Sequence, residues 1–406
     1  MSLTKPNVGS AINSNLGTQS DSSPHTRSAL GDEFKPTSTK SDKNEREDDS
    51  LSIHPNEIWL FLDSLVFGGI EAHVLELAQG LLSFNKSVRV ILLTQYSPEP
   101  AIIAKLTEIN IPYSYLADLS PQYTSSFHQL KSACDTYCPS LIHAHGYKAS
   151  LISKWIKPFA KNKLKQLSTY HAGETPKGKV WLYDFIDRYS SFLSDHSLVV
   201  SRKIQQKVPS KSSLLNNFVT LPASEVIGSY QSKKQQHRKP RRNQVGFVGR
   251  LSHEKAADRF LTLAALSPQC SFHLFGDGPE RQTLQNQKSD NLVFHGHQTD
   301  MSQVWSQIDV LVIPSRYEGL PMAALEAMAR GIPVIAMAVG NLPDLIQHEV
   351  NGFIAHDESE LHQLLIDWLA LTEEKRHQLA ENAQHTIKQD YSPEAVIPQL
   401  LSCYKI

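Results

Sequence analysis

Two carboxylates and two cations in the second half of the chain have the types and spacing to do chemistry. Glu318 and Glu326 stand in "RYEGLPMAALEAMARGIP", directly after the apolar run "DVLVIPS". That run reads as a buried strand and "PMAALEAMAR" as a helix, with Pro321 suited to its first position. Glu318 then lies in the strand-to-helix loop, and Glu326 roughly a turn and a half inside the helix. Negative charge near a helix N-terminus has an ordinary electrostatic explanation. An ionised carboxylate also accepts O–H donors well, so the pair suits a ligand with vicinal hydroxyls: a sugar, a ribose or both. The opposite charge comes from "VGRLSHEK", where Gly249 and Arg250 end a strand and Lys255 follows at a helix start. A fixed arginine and lysine there fit a pyrophosphate. "FGDGPE" is a second glycine-rich strand exit, and alone such a turn carries little information.

Positioning these groups requires strands that end beside helix N-termini. From Glu57 onward short apolar runs alternate with helical spacing: "IWLFLD", "SVRVILLT", "PYSYLAD", "SLIHAHG", "QLSTYH", "HSLVVS" and "SSLLNNFV". The alternation stops at "SYQSKKQQHRKPRRNQ" and restarts with "QVGFVGR", "SFHLFGDG", "NLVFHGH", "DVLVIP" and "IPVIAMAVG". Such alternation predicts βαβ units on parallel sheets, once in each half. In an open parallel sheet, ligands sit outside the carboxyl ends of the strands. Residues 1–52, polar and without period, are expected to be disordered. The basic stretch 229–244 is read as a solvated connector, with anionic lipid or nucleic acid as its competing reading.

The totals exclude several classes. With 406 residues and a net charge of −1 there is no overall pull toward nucleic acid. No run is apolar and long enough to span a membrane, and no secretory signal opens the sequence. Four cysteines, Cys134, Cys138, Cys270 and Cys403, are too scattered for a disulfide framework, which favours a reducing cytoplasm. "CDTYCPSLIHAH" offers Cys134, Cys138, His143 and His145 as zinc ligands. Their spacing across one helical turn and a strand argues instead for buried thiols and a strand-end histidine pair. His73, His143 and His145 are read as core histidines.

The order "VGRLSHEK", "FGDGPER", "VFHGH", "VIPSRYEGLPMAALEAMARGIPVIA", "VGNLPDLI", "NGFI" resembles retaining glycosyltransferase family 4, also called glycosyl transferases group 1. Two glutamates separated by seven residues mark that family, met here by Glu318 and Glu326. In the first half, "FGGIEAHVLELA" is similar to its glycine loop and "STYH" to the segment carrying its active-site histidine. The resemblance spans Glu57 to Ile406. It implies an α/β GT-B fold, in which two Rossmann-like domains face each other across a cleft. Residues 53–228 would form the acceptor side, 245–385 the sugar-nucleotide side, and 386–406 a helix crossing back to the first domain.

Carried over by position, the resemblance implies that Glu326 binds the ribose and Glu318 the donor sugar. Arg250 and Lys255 would neutralise the diphosphate near Gly249, and the amides of Gly319 and Leu320 would hold sugar and phosphate. Gly68 and Gly69 would let the backbone approach the acceptor and phosphate, and His171 would touch the transferred sugar. Three positions depart from the family: Ala256 and Asn341 where glycine is usual, and Asn217 in "NNF", expected in the left-handed conformation.

The expectation is a retaining, metal-independent glycosyltransferase using a UDP-, GDP- or ADP-sugar and no cofactor. Its acceptor would be a glycan or lipid-linked molecule of the cell envelope, reached from the cytoplasm at the inner membrane face. Lysines among Trp155, Ile156 and Phe159 make Tyr147–Gln166 a candidate peripheral membrane contact. The rival readings are an epimerase on the same scaffold and a non-catalytic sugar-nucleotide-binding partner.

Overall fold

The computed structural model describes residues 53–65, 67–171, 179–222, 243–298 and 300–405. The segment expected to be disordered, 1–52, and nearly all of the connector 229–244 lie outside the described residues.

Two all-parallel sheets carry the chain. The first has seven strands in the order β3-β2-β1-β4-β5-β6-β7. They are β1 (Ile58–Leu62), β2 (Val88–Leu92), β3 (Tyr113–Tyr115), β4 (Leu141–His145), β5 (Lys165–Tyr170), β6 (His196–Val199) and β7 (Ser212–Leu214). The second has six, in the order β10-β9-β8-β11-β12-β13. These are β8 (Gln244–Val248), β9 (Ser271–Phe275), β10 (Leu292–Gly296), β11 (Val310–Ile313), β12 (Val334–Met337) and β13 (Gly352–Ala355). Helices cover both faces, so central strands such as β1 and β11 are buried at every residue. In each sheet the strand order reverses at the first strand, between β1 and β4 and between β8 and β11. These are the switch points where an open sheet leaves a crevice.

Eight helices frame the crevice and the surfaces beside it: α1 (Gly69–Ser83), α2 (Ser126–Tyr137), α3 (Tyr147–Ile156), α4 (Lys179–Tyr189), α5 (Ala257–Leu266), α6 (Met322–Ala329), α7 (Glu373–Asp390) and α8 (Pro393–Tyr404). Pro321 proves to be the extended N-cap of α6, one residue before the helix, not its first residue. α8 opens as its residues dictate, with Pro393 in its first turn and the Ser392 hydroxyl accepting from the Ala395 amide. It packs Val396, Ile397, Leu400 and Tyr404 into the core under β1 and β2. Because α7 runs through residue 386, the chain turns only at Tyr391 and Ser392.

Strand alternation settles the cysteine–histidine question. Ile142 and Ala144 of β4 share a core with Cys134 of α2, on one face of the sheet. His143 and His145 point to the other face, where His143 meets Tyr404. Cys134 and the two histidines are therefore separated by the sheet, and no four-ligand zinc site forms.

Short polar ties hold the two halves together. Asn217 donates its side-chain amide to the Leu320 carbonyl at 2.8 Å, and Asn341 donates its own to the Val200 carbonyl at 3.0 Å. Asn217 is not among the left-handed residues, against expectation; its identity is explained by this tie instead. Asn341 follows Gly340, which stands at φ 61° and must be glycine because a Cβ there would also collide with the Glu318 and Gly319 carbonyl oxygens.

Candidate active site

The loop after β11 is fixed by its neighbours before any ligand arrives. Arg316 makes a bidentate pair with Asp258 at 2.8 and 2.6 Å, and its amide donates to the Glu254 carbonyl. This clamps the loop on the segment carrying Lys255. Lys255 Nζ then meets both carboxylate oxygens of Glu318, at 2.8 and 2.7 Å, and Ser315 donates to the same carboxylate at 2.7 Å. The Glu318 side chain is 6% exposed and that of Lys255 32%, so the pair sits at a mouth, acid inward and cation outward. The Gly319 and Leu320 carbonyls accept from Asn341 and Asn217, while their N–H groups find no acceptor among the described residues. Two unpartnered amides beside the start of α6 suit an anion.

Lys255 is aimed by an unusual residue. Ala256 is buried and left-handed, with φ 54°, between the Ser252 turn and α5. Glycine takes that conformation without the Cβ clash, which is the physical content of the family's glycine here. Ala256→Gly is expected to stabilise the fold by about 0.5–1 kcal/mol, the strain relieved less the extra freedom glycine has when unfolded. Urea melts compare the two; a lower midpoint for the glycine variant contradicts the assignment.

Arg250 stands exposed at the end of β8. The "FGDGPE" turn behind it has a packing role: a Cβ on Gly276 would lie 1.8 Å from the Gly249 carbonyl oxygen, and one on Gly278 2.4 Å from that of Leu251. Asp277 is tied to Arg281. Glu326 lies on α6, half-buried, accepting from the Trp305 indole at 3.2 Å, with Arg330 beside that indole ring. Burial pushes its carboxyl up to about 7, against the pull of Arg330.

Across the crevice, Gly68 is the N-cap of α1 and Gly69 its first residue, the Gly68 amide donating to Glu71 at 2.9 Å. Gly68 is extended rather than left-handed, and a Cβ on Gly69 would meet nothing within 4 Å. The fold itself does not demand glycine at Gly69. His171 follows β5, and a Cβ on Gly319 would lie 3.7 Å from its carbonyl oxygen, so the Glu318 loop packs against His171.

His171 belongs to a cluster that reading the histidines singly missed. Its Nε2 lies 3.1 Å from His145 Nδ1, and its ring meets that of His73 edge-on at 4.9 Å. His143 is satisfied by Tyr404 and Thr169, at 2.7 and 2.6 Å. His73 makes no hydrogen bond of good geometry, although Asn217 offsets a little of the burial that lowers its pKa to about 4. Burial likewise holds His143 near 3 and His145 and His171 well below the usual range, so all four are neutral. Ring nitrogens of His73, His145 and His171 lie within 4.8 Å of one another, a donor set that a borderline cation could also use. The signal available in the sequence was the i, i+2 spacing of His143 and His145, which puts both on one strand face.

The lysine-rich segment 147–166 is not one cationic face. Lys154 points inward, 1% exposed, bound to Asp187 and the Tyr170 hydroxyl at 2.7 and 2.8 Å. Lys148 pairs with Asp63, Lys157 with Asp195, and Lys165 reaches the Lys405 carbonyl at 3.0 Å. A helix beside a second helix must turn some positions inward, whatever their charge. Among the described residues no helix is long and apolar enough to cross a membrane.

Two facing parallel-stranded α/β units with a helix crossing back are the GT-B architecture. Family models named "Glycosyl transferases group 1" and "Glycosyltransferase Family 4" match residues 229–386 and 67–211, about three quarters of the chain together. The chain belongs to glycosyltransferase family 4. An uncharacterized glycosyltransferase of Methanocaldococcus jannaschii is 24% identical over 84% of this chain and 95% of its own length. An O-antigen biosynthesis glycosyltransferase of Escherichia coli is 27% identical over 44% of this chain and 52% of its own. Matches to other curated relatives span between 23% and 65% of their length. Among solved structures, Anabaena HepE in complex with UDP and glucose superposes with a TM-score of 0.70, at 19% identity, over 86% of this chain and 100% of HepE. That likeness speaks to the fold.

Proposed function

We propose that this protein transfers a sugar from a nucleoside-diphosphate sugar to an acceptor hydroxyl, with retention of anomeric configuration and no obligatory metal. The observation that carries the reading is the Lys255–Glu318 contact beside the unpartnered amides of Gly319 and Leu320. A sugar diphosphate entering there separates the pair: Lys255 turns to phosphate and Glu318 accepts the sugar's hydroxyls. Arg250, Lys255 and the start of α6 receive the charge that gathers on the leaving diphosphate. Glu326 takes the ribose, and the backbone at Gly249 lies along the diphosphate. The acceptor arrives over Gly68 and Gly69, with open space at Gly69. Its hydroxyl oxygen attacks on the face the diphosphate leaves, the hydroxyl proton passing to the departing phosphate oxygen as the sugar–phosphate bond breaks. His171, neutral and beside the Glu318 loop, lies against the transferred sugar. The acceptor is a glycan or lipid-linked intermediate of the cell envelope at the cytoplasmic membrane face, a reading supported by the O-antigen relative.

A thermal-shift screen of UDP-, GDP- and ADP-sugars identifies the donor, and NMR of the product reads its anomeric configuration. Retention with full turnover in chelator is expected. An inverted product, or turnover abolished by chelator and restored by a divalent ion, overturns the reading. Isomerisation of the donor without any acceptor would identify an epimerase.

A further inference from the structure

Helix α4 is built inside out. Its charged residues face the protein: Asp187 is 3% exposed and grips buried Lys154, and Arg188 is 7% exposed and pairs with Asp184. Its aromatic residues face outward. Trp181, Phe185 and Tyr189, spaced i, i+4, i+8, are 46%, 41% and 56% exposed, and Phe192 in the next turn is 72% exposed. The rings stack on one another, Trp181 on Phe185 at 5.5 Å and Phe185 on Tyr189 at 4.2 Å. A helix packed only for its own domain would reverse this arrangement, because burying charge costs and burying rings stabilises. The stripe continues onto the neighbouring helix end, where Trp155 and Phe159 are 56% and 61% exposed. Lys157 bridges the two by donating to the Leu193 carbonyl at 3.1 Å.

We propose that this aromatic stripe is a membrane-docking face that seats the enzyme on an anionic lipid surface and presents it to a lipid-anchored acceptor. Three properties favour a bilayer. Tryptophan and tyrosine, apolar with one polar atom, suit the headgroup boundary. Among the described residues, the acids of α4 and the turn after it are occupied: Asp184 by Arg188, Asp187 by Lys154, Asp195 by Lys157. Lys161 and Lys163 stand exposed past Phe159, so the rim is cationic and complements anionic headgroups. The same helix borders the crevice on its other side, through Tyr183. Tyr183 stacks on Tyr147 at 6.0 Å, and Tyr147 opens the helix directly after His145 and Gly146. A lipid-anchored acceptor held in the bilayer would thus lie beside the site. The acceptor clause rests on the transferase reading; the docking face does not.

Flotation of the full chain with phosphatidylcholine vesicles, with and without phosphatidylglycerol, tests the docking directly. Binding is expected to anionic vesicles, falling at least tenfold in Phe185→Ser/Phe192→Ser. A smaller, salt-sensitive loss, severalfold, is expected in Lys161→Glu/Lys163→Glu, whose charges lie at the rim. Free-nucleotide binding and far-UV circular dichroism should be unchanged in both, which separates docking from folding. No flotation of the wild type, or flotation undiminished in both double variants, overturns the proposal. So does a dimer in sedimentation that the Phe185→Ser/Phe192→Ser variant dissociates, since a second copy would then cover the face. None of these outcomes depends on turnover, so a failed transferase assay leaves the result readable.

Discussion

Lys255→Ala is expected to lower turnover on the order of a hundredfold or more at saturating donor, and Arg250→Ala to do the same. Without a metal, the charge arriving on the diphosphate must be met by preorganised cations. Losing one oriented charge commonly costs about 2.7–4 kcal/mol in the barrier. The two variants should differ in stability. Arg250 is exposed, so its loss leaves the melting temperature unchanged. Lys255 is the counter-charge of a Glu318 side chain that is only 6% exposed. Its removal strands that carboxylate, at a cost of about 1–2 kcal/mol once the partial exposure of the lysine is allowed for. Lys255→Met combined with Glu318→Gln should recover the stability and leave turnover lost. Steady-state kinetics and thermal melts on the four proteins complete the test. Normal turnover in both single variants would sink the mechanism, and recovered turnover in the double variant would reduce the pair to a structural contact.

Glu326→Gln separates the second glutamate from the first. Its carboxyl is pushed up to about 7 in the folded chain, above the 4.5 of an unperturbed group, because the carboxyl end lies against buried Trp305 although the residue as a whole is half-buried. Below about pH 4.5 both states hold the proton and folding is indifferent to it. Between there and about 7 the native state keeps a proton that the unfolded state has lost. Stability therefore falls as pH rises through that window and stays lower above it. Glutamine carries no such charge, so Glu326→Gln should match wild type at pH 4 and exceed it by up to about 3 kcal/mol at pH 8.

Binding of the free nucleoside diphosphate should move oppositely. If the carboxylate accepts from the ribose, wild-type affinity rises as pH passes 7, and the glutamine variant is weaker by about 1.5–3 kcal/mol without that dependence. Glu318→Ala should leave free-nucleotide binding largely intact and act on turnover. Calorimetry across pH decides: equal losses in both glutamate variants would reject the division of roles. A variant that gains stability as it loses binding is what a functional carboxylate in a dry place predicts.

The strands of both sheets were legible because a parallel sheet covered on both faces writes each strand as a short apolar run between helical stretches. The edge strand β13 was missed. "NGFI" is four residues long and its Gly352 is there for close approach, a Cβ standing 2.6 Å from the Val334 carbonyl oxygen. The charged residues of the second half were legible as well, since Arg250, Lys255, Glu318 and Glu326 follow strand exits at spacings a helix start makes meaningful.

Local sequence by itself determined the alternation of elements, the placement of Arg250, Lys255 and Glu318 in loops after strands and of Glu326 in the helix that follows, and the Ser-Pro opening of the last helix, because each depends on neighbours within a few residues. Tertiary structure decided the rest. It joined Lys255 to Glu318, gathered His73, His145 and His171 from a helix, a strand and the exit of another strand, and sent Cys134 to the opposite face from His143. It also turned Lys154 inward and the aromatics of α4 outward. Those outcomes depend on which sheet face a side chain takes and which helix lies alongside. Contacts between residues far apart in the chain settle both, and no local period encodes them.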